Sequence, residues 1–73
     1  MRPVMSTEIH IELNGEAKTV PAGTTLAALL AAVPHPRVFA LELDGAIIPS
    51  TDFDATVLPD HSKIEVVQFV GGG

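Results

Sequence analysis

Thr7-Glu8-Ile9-His10-Ile11-Glu12-Leu13 alternates residue by residue, and Asn14-Gly15 follows it directly. Ile9, Ile11 and Leu13 share one face of an extended chain, while Glu8, His10 and Glu12 share the other. That is the period-two pattern of a strand with one buried face. Asn-Gly accepts the positive backbone angles of a tight two-residue turn, so residues 16–20 are expected to return as the second strand of a hairpin. A hairpin with one apolar face needs a cover, and the next residues supply it.

Pro21-Ala22-Gly23 breaks the strand, and either Thr24 or Thr25 can N-cap a helix. Leu26, Leu29, Leu30 and Val33 then recur at i, i+3, i+4 and i+7, an apolar stripe separated by alanines, the strongest helix formers. Pro34 disfavours helical geometry at Val33, so the helix is expected from about residue 25 to 32. Two turns are too few to stand alone in water and must lie on a sheet. Residues 38–43 read as a third strand with Phe39, Leu41 and Leu43 on one face. Asp44-Gly45 is a second tight turn, and Ala46-Ile47-Ile48 a short return strand closed by Pro49.

Residues 50–62 read as irregular, with Asp52 capping a short helical turn and Val57 and Leu58 dipping into the core. Residues 63–70 form the last strand. They are rich in β-branched residues and nearly apolar on both faces, which suits the middle of the sheet beside the first strand. The order β-β-α-β-β-β predicts an α+β domain, one helix packed on a sheet. Leu26, Leu29 and Leu30 are expected to pack on Ile9, Ile11, Leu41, Ile64 and Val66.

With 73 residues, 47% of them hydrophobic, the chain supports one small domain. Residues 1–6 are expected as a disordered lead, with Met5 an alternative start, residues 7–70 as the domain and 71–73 as a flexible tail. The absence of cysteine excludes disulfides and thiolate metal sites. No apolar run approaches the ~18 residues of a membrane span, and residues 1–5 lack the apolar core of a signal peptide. A soluble cytoplasmic protein is expected. The net charge of −5 argues against nucleic acid as a partner; it suits a partner with a basic docking surface, although plain solubility is the default reason for such acidity.

An enzyme site is hard to assemble from these residues. His10, His35 and His61 are scattered without metal-ligand spacing, so no metal or other cofactor is expected. Asp52 and Asp54 flank Phe53 in a loop, where such pairs cap and solvate. What stands out instead is Gly71-Gly72-Gly73, immediately after the last strand. Three glycines make a thread of roughly 10 Å that enters passages any Cβ would block. A carboxylate at its end becomes reactive when another enzyme adenylates it, and a sulfur nucleophile can then displace AMP to leave a thiocarboxylate. A frayed chain end is the competing explanation.

The pattern as a whole resembles a known family. It comprises Asn14-Gly15; Pro21-Ala22-Gly23-Thr24-Thr25-Leu26 with Leu29-Leu30; Leu43-Asp44-Gly45-Ala46-Ile47-Ile48-Pro49; Leu58-Pro59; and Ile64-Glu65-Val66-Val67 with Val70 and Gly72-Gly73. Over residues 7–73 this is similar to the sulfur-carrier proteins of thiamine biosynthesis, which are ubiquitin-like β-grasp proteins. The resemblance implies a mixed sheet with the first and last strands adjacent and parallel. It also implies a protein co-substrate, not an enzyme: Gly73 carries the carboxylate that an ATP-dependent activating enzyme adenylates. A sulfur donor enzyme then converts it to the thiocarboxylate, whose sulfur enters the ring made by thiazole synthase. The chain departs from the family at Asp60-His61-Ser62, where an Asp-Gly-Asp-like turn is common, and at Asp44, where asparagine is common. Other β-grasp carriers, for molybdopterin synthase or tRNA thiolation, and ubiquitin-like protein modifiers share the same outline.

A partner surface is expected beside the tail. Glu65 places its face of the last strand outward, and Val67 and Phe69 share that face by period two. With Val70, Gly71 and Gly72 they form the expected partner-binding set, joined by the outer face of the third strand at Val38, Ala40 and Glu42.

Overall fold

The computed structural model describes residues 7–69. Strands β1 (Glu8–Leu13) and β2 (Glu16–Pro21) pair antiparallel, with Leu13 opposite Glu16. Between them Asn14 and Gly15 take φ of 51° and 84°. Two consecutive positive angles match the right-handed twist of the strands they join, which is why this dipeptide marks the turn. Strands β3 (Phe39–Leu43) and β4 (Ala46–Ile48) repeat the device, with Asp44 at 50° and Gly45 at 88°. The expected third strand loses its first residue, since Val38 stands just ahead of β3.

Helix α1 (Leu26–Ala32) begins where the stripe begins. Thr25 is the cap: its side-chain oxygen accepts the Ala28 amide at 3.1 Å. Thr24 does a different job, its hydroxyl donating to the Pro21 carbonyl at 2.6 Å. Val33 ends the helix at φ −125° and ψ 150°, the extended geometry that a following proline imposes. The remaining free amides of the first turn are met by the long loop: Leu26 donates to Thr56 and Ala27 to Phe53.

Strand β5 (Ser62–Gln68) lies at the centre of a five-stranded sheet ordered β2-β1-β5-β3-β4. It runs parallel to β1, with Ile11 opposite Ser62, and antiparallel to β3, with Leu41 opposite Val66. This mixed sheet crossed by one helix is the β-grasp arrangement. Ile11, Leu13, Leu41 and Ile64 from the sheet meet Leu26, Leu29 and Leu30 from the helix, and Leu58 closes the core from the loop. Ile9 and Val66 are half-buried against this cluster, as are Phe39, Leu43 and Phe53.

Two loop expectations are corrected. Val57 does not enter the core; it is 53% exposed and makes an isolated antiparallel bridge to Thr25, while Leu58 turns inward. In an extended pair only one neighbour can face the core. Asp52 is not a cap but the last residue of a 3₁₀ turn, Ser50–Asp52, preceded by Pro49. Its carbonyl accepts the Ala55 amide and the Thr56 hydroxyl. His61 takes φ 66°, the left-handed conformation that glycine adopts without strain. Residues 1–6 and 70–73, the expected lead, the end of the last strand and the tail, lie outside the described residues.

Candidate functional site

Because β5 is central, both its neighbours hold it. Where each two-residue turn meets β5, the turn's first residue reaches sideways. The Val66 amide donates to Asn14 Oδ1 at 2.8 Å, and the Lys63 amide donates to Asp44 Oδ1 at 2.8 Å. The main chain of both residues joins in, Asn14 N–H to the Ile64 carbonyl at 2.9 Å and Asp44 N–H to the Lys63 carbonyl at 2.7 Å. The strand that leads to the glycines is therefore gripped on both edges along Lys63–Val66.

The sheet has two faces, and the helix covers only one. On the uncovered face alternation places Lys63, Glu65 and Val67 of β5, Ala40 and Glu42 of β3, and Ile47 of β4. The register sets Ala40 opposite Val67, Glu42 opposite Glu65, and Ile47 on the other side of Glu42. Val67 is 40% exposed, Phe69 59%, Val38 62% and Ile47 67%. The expectation that Val67 and Phe69 face outward beside Val38 and Ala40 agrees with this geometry. Ile47 was missed as part of the face. Its signal was present, because counting back from the Asp44-Gly45 turn pairs residue 47 with Glu42. A groove of about 440 Å³ adjoins the patch, bounded by Val38, Phe39, Ile47, Pro49 and Phe53. The other expected partner-binding positions, Val70, Gly71 and Gly72, and the expected reactive residue Gly73 lie outside the described residues.

The histidines are less scattered than their spacing suggested. His10 and His61 stack with ring centroids 6.1 Å apart. Asp60 stands with them, accepting the His10 amide at 2.8 Å and lying 3.3 Å from His61 Nε2. The His10 amide is the main reason that the Asp60 carboxyl is held below its usual range, and the nearby imidazoles act in the same direction. His35 sits apart, its ring 5.0 Å from that of Phe39. Among the described residues no three or more His, Cys, Asp or Glu side chains are arranged to hold a metal ion. No helix among them is long and apolar enough to cross a membrane.

Comparison with known proteins bears on the same chain. The chain is 42% identical over 66 residues to a thiazole synthase of Magnetococcus marinus, which covers 89% of this chain but 20% of that synthase. It is 34% identical over 71 residues to ycf40, an uncharacterized protein of Pyropia yezoensis, over 96% of this chain and the whole of the other. The crystal structure of a thiamine biosynthesis protein, ThiS, from Geobacter metallireducens superposes with a TM-score of 0.77 at 30% identity, covering 89% of this chain and 100% of that one. The ThiS family model matches residues 11–73, a span that holds all of the sheet beyond the start of β1, the helix, the uncovered face and the three glycines; the chain belongs to the ThiS family.

Proposed function

We propose that this chain is a sulfur carrier of thiamine biosynthesis and that its working atom is the carboxylate of Gly73. The observation that carries this reading is the reach of the ThiS match, which extends through Gly71-Gly72-Gly73. An adenylating enzyme joins the carboxylate to the α-phosphate of ATP, and pyrophosphate leaves. Sulfide released by a donor enzyme attacks the resulting mixed anhydride, and AMP leaves with the former carboxylate oxygen. The product is a thiocarboxylate, which delivers its sulfur to thiazole synthase. The chain is a co-substrate in each step, and the catalytic groups belong to its partners. The stretch of the Magnetococcus marinus thiazole synthase that resembles this chain supports a working relation between carrier and synthase. The ThiS match favours thiamine over the pterin and tRNA pathways.

In this reading the body of the domain is a handle. Val67 lies on β5 and Phe69 follows it directly, with Val38 beside them just ahead of β3, so a partner gripping this apolar patch controls where Gly73 arrives. Orientation matters in such a transfer, since a displacement of ~1 Å can cost about a hundredfold in rate. The test is ATP–pyrophosphate exchange with the cognate adenylating enzyme. Gly72→Val keeps the reach and adds a stiff β-branched side chain. Extension past Gly73 removes the free carboxylate from its depth. Both variants should fold normally and lose exchange severely. Exchange at the wild-type rate by both would end the carrier reading and leave the glycines as a frayed end.

A further inference from the structure

The uncovered face carries a charge arrangement that the fold itself does not require. Glu42 and Glu65 stand directly opposite each other on β3 and β5. Residues so paired have Cβ atoms only ~4.5–5.5 Å apart, and like charges there are destabilising. Both residues are half-buried, and the Glu65 side chain is 45% exposed, open to a partner from solvent. Lys63 approaches Glu65 at 3.8 Å. Glu42 has no hydrogen bond or ion pair among the described residues, and its other cross-strand neighbour is the exposed, apolar Ile47. One pleat repeat further along, the Ala40–Val67 pair begins the apolar patch. Glu8 and Glu12 add to the acidity of the same face through β1.

We infer that Glu42 and Glu65 form a socket for one basic side chain, an arginine or lysine, of the adenylating enzyme. This rests on the reading that the uncovered face docks that enzyme. A planar guanidinium fits the pair best, since it can offer separate N–H donors to the two carboxylates. Seated there, it would neutralise the repulsion across the strands while an apolar partner surface covers Val67, Phe69 and Ile47. A second copy of this chain does not fit, because face-to-face association would bring four of these glutamates together. An anionic lipid surface is excluded by the same sign of charge. The socket also explains why an unfavourable pair sits at the centre of the sheet: the cost is borne by the free carrier and relieved on docking.

A carboxylate kept only for the fold and one kept for a partner respond differently to substitution. Glu42→Gln removes the repulsion and leaves the Lys63–Glu65 pair in place. Glu42→Lys converts the like-charge pair to an opposite one. Both variants should unfold at a higher urea concentration than the wild type. Both should also bind the adenylating enzyme more weakly by calorimetry, by about fivefold or more for glutamine and further for lysine. The wild-type affinity should fall as NaCl rises from 50 to 300 mM, and the glutamine variant should lose most of that dependence. Affinity within twofold of wild type for both variants would overturn the socket. If Phe69→Ala weakens binding in the same titration, the docking face survives that result and only the socket fails. If the wild type shows no binding to the adenylating enzyme, the docking reading and the socket fall together.

Discussion

Asn14 and Val66 stand 52 positions apart and are joined by a 2.8 Å hydrogen bond from the Val66 amide to Asn14 Oδ1. One residue thus serves two purposes. It bends the first hairpin with φ 51°, and it holds the central strand on the far side of the chain. Replacement by alanine removes both contributions. A left-handed residue with a Cβ and no local side-chain bond costs ~1–2 kcal/mol, and the lost hydrogen bond about 0.5–1.5 kcal/mol. Asn14→Gly keeps the turn and loses only the bond. Urea unfolding should therefore rank the wild type above Asn14→Gly and Asn14→Ala last. Equal stability of the two variants would show that the left-handed conformation carries no cost here.

Leu29 points from the helix into the core and is 2% exposed. Leu29→Ala should cost ~2–5 kcal/mol, a large share of what a domain of this size has. Chemical denaturation measures it directly. A change within the noise would mean that the helix does not depend on this contact.

Phe69 is exposed and lies past the end of β5, so the fold asks little of it. Phe69→Ala should weaken binding to the adenylating enzyme, since buried aromatic anchors contribute ~2 kcal/mol or more. Its melting temperature should stay close to that of the wild type. A large drop in melting temperature with unchanged affinity would assign Phe69 to the domain instead of the interface.

Asp60 gives the protein a weak acid dependence. Its carboxyl titrates lower in the folded state, chiefly because it accepts the His10 amide. A lowered folded value means that the ionised form favours folding. The contribution is present above the unfolded value of about 3.9 and is lost as pH falls through the lower folded value. The group lies at the surface, so the effect is small. Melting temperatures between pH 2 and 7 should fall less steeply below pH 4 for Asp60→Asn than for the wild type. Identical acid limbs would remove Asp60 from the balance.

Much of this architecture was written locally. Alternation in residues 8–13, the Asn14-Gly15 and Asp44-Gly45 turns, and the leucine stripe of residues 26–30 each act over a few residues, so the elements and their inward faces could be read directly. The β-branched, nearly apolar last strand suggested a central place beside the first strand, and β5 is central, although only its Ser62, Ile64 and Val66 face turns to the helix while Lys63 and Val67 stay exposed. The glycines at 71–73 carry the proposed chemistry, since no other residue is so thin.

Other features needed the chain to close on itself. The side-chain bonds from Asn14 and Asp44 to β5 join turns to a strand distant in sequence. The stacking of His10 on His61 exists because β1 and β5 run parallel with Ile11 opposite Ser62. The split between exposed Val57 and buried Leu58 was set by a single bridge to Thr25. Glu42 and Glu65 look like two ordinary solvated carboxylates in the sequence, and only the β3–β5 register makes them one acidic pair beside the apolar patch. Sequence alone determined which residues bend, alternate and bury. Tertiary structure decided which of the outward-facing residues became neighbours, because register is set by the packing of the whole sheet on one helix and not by any segment alone.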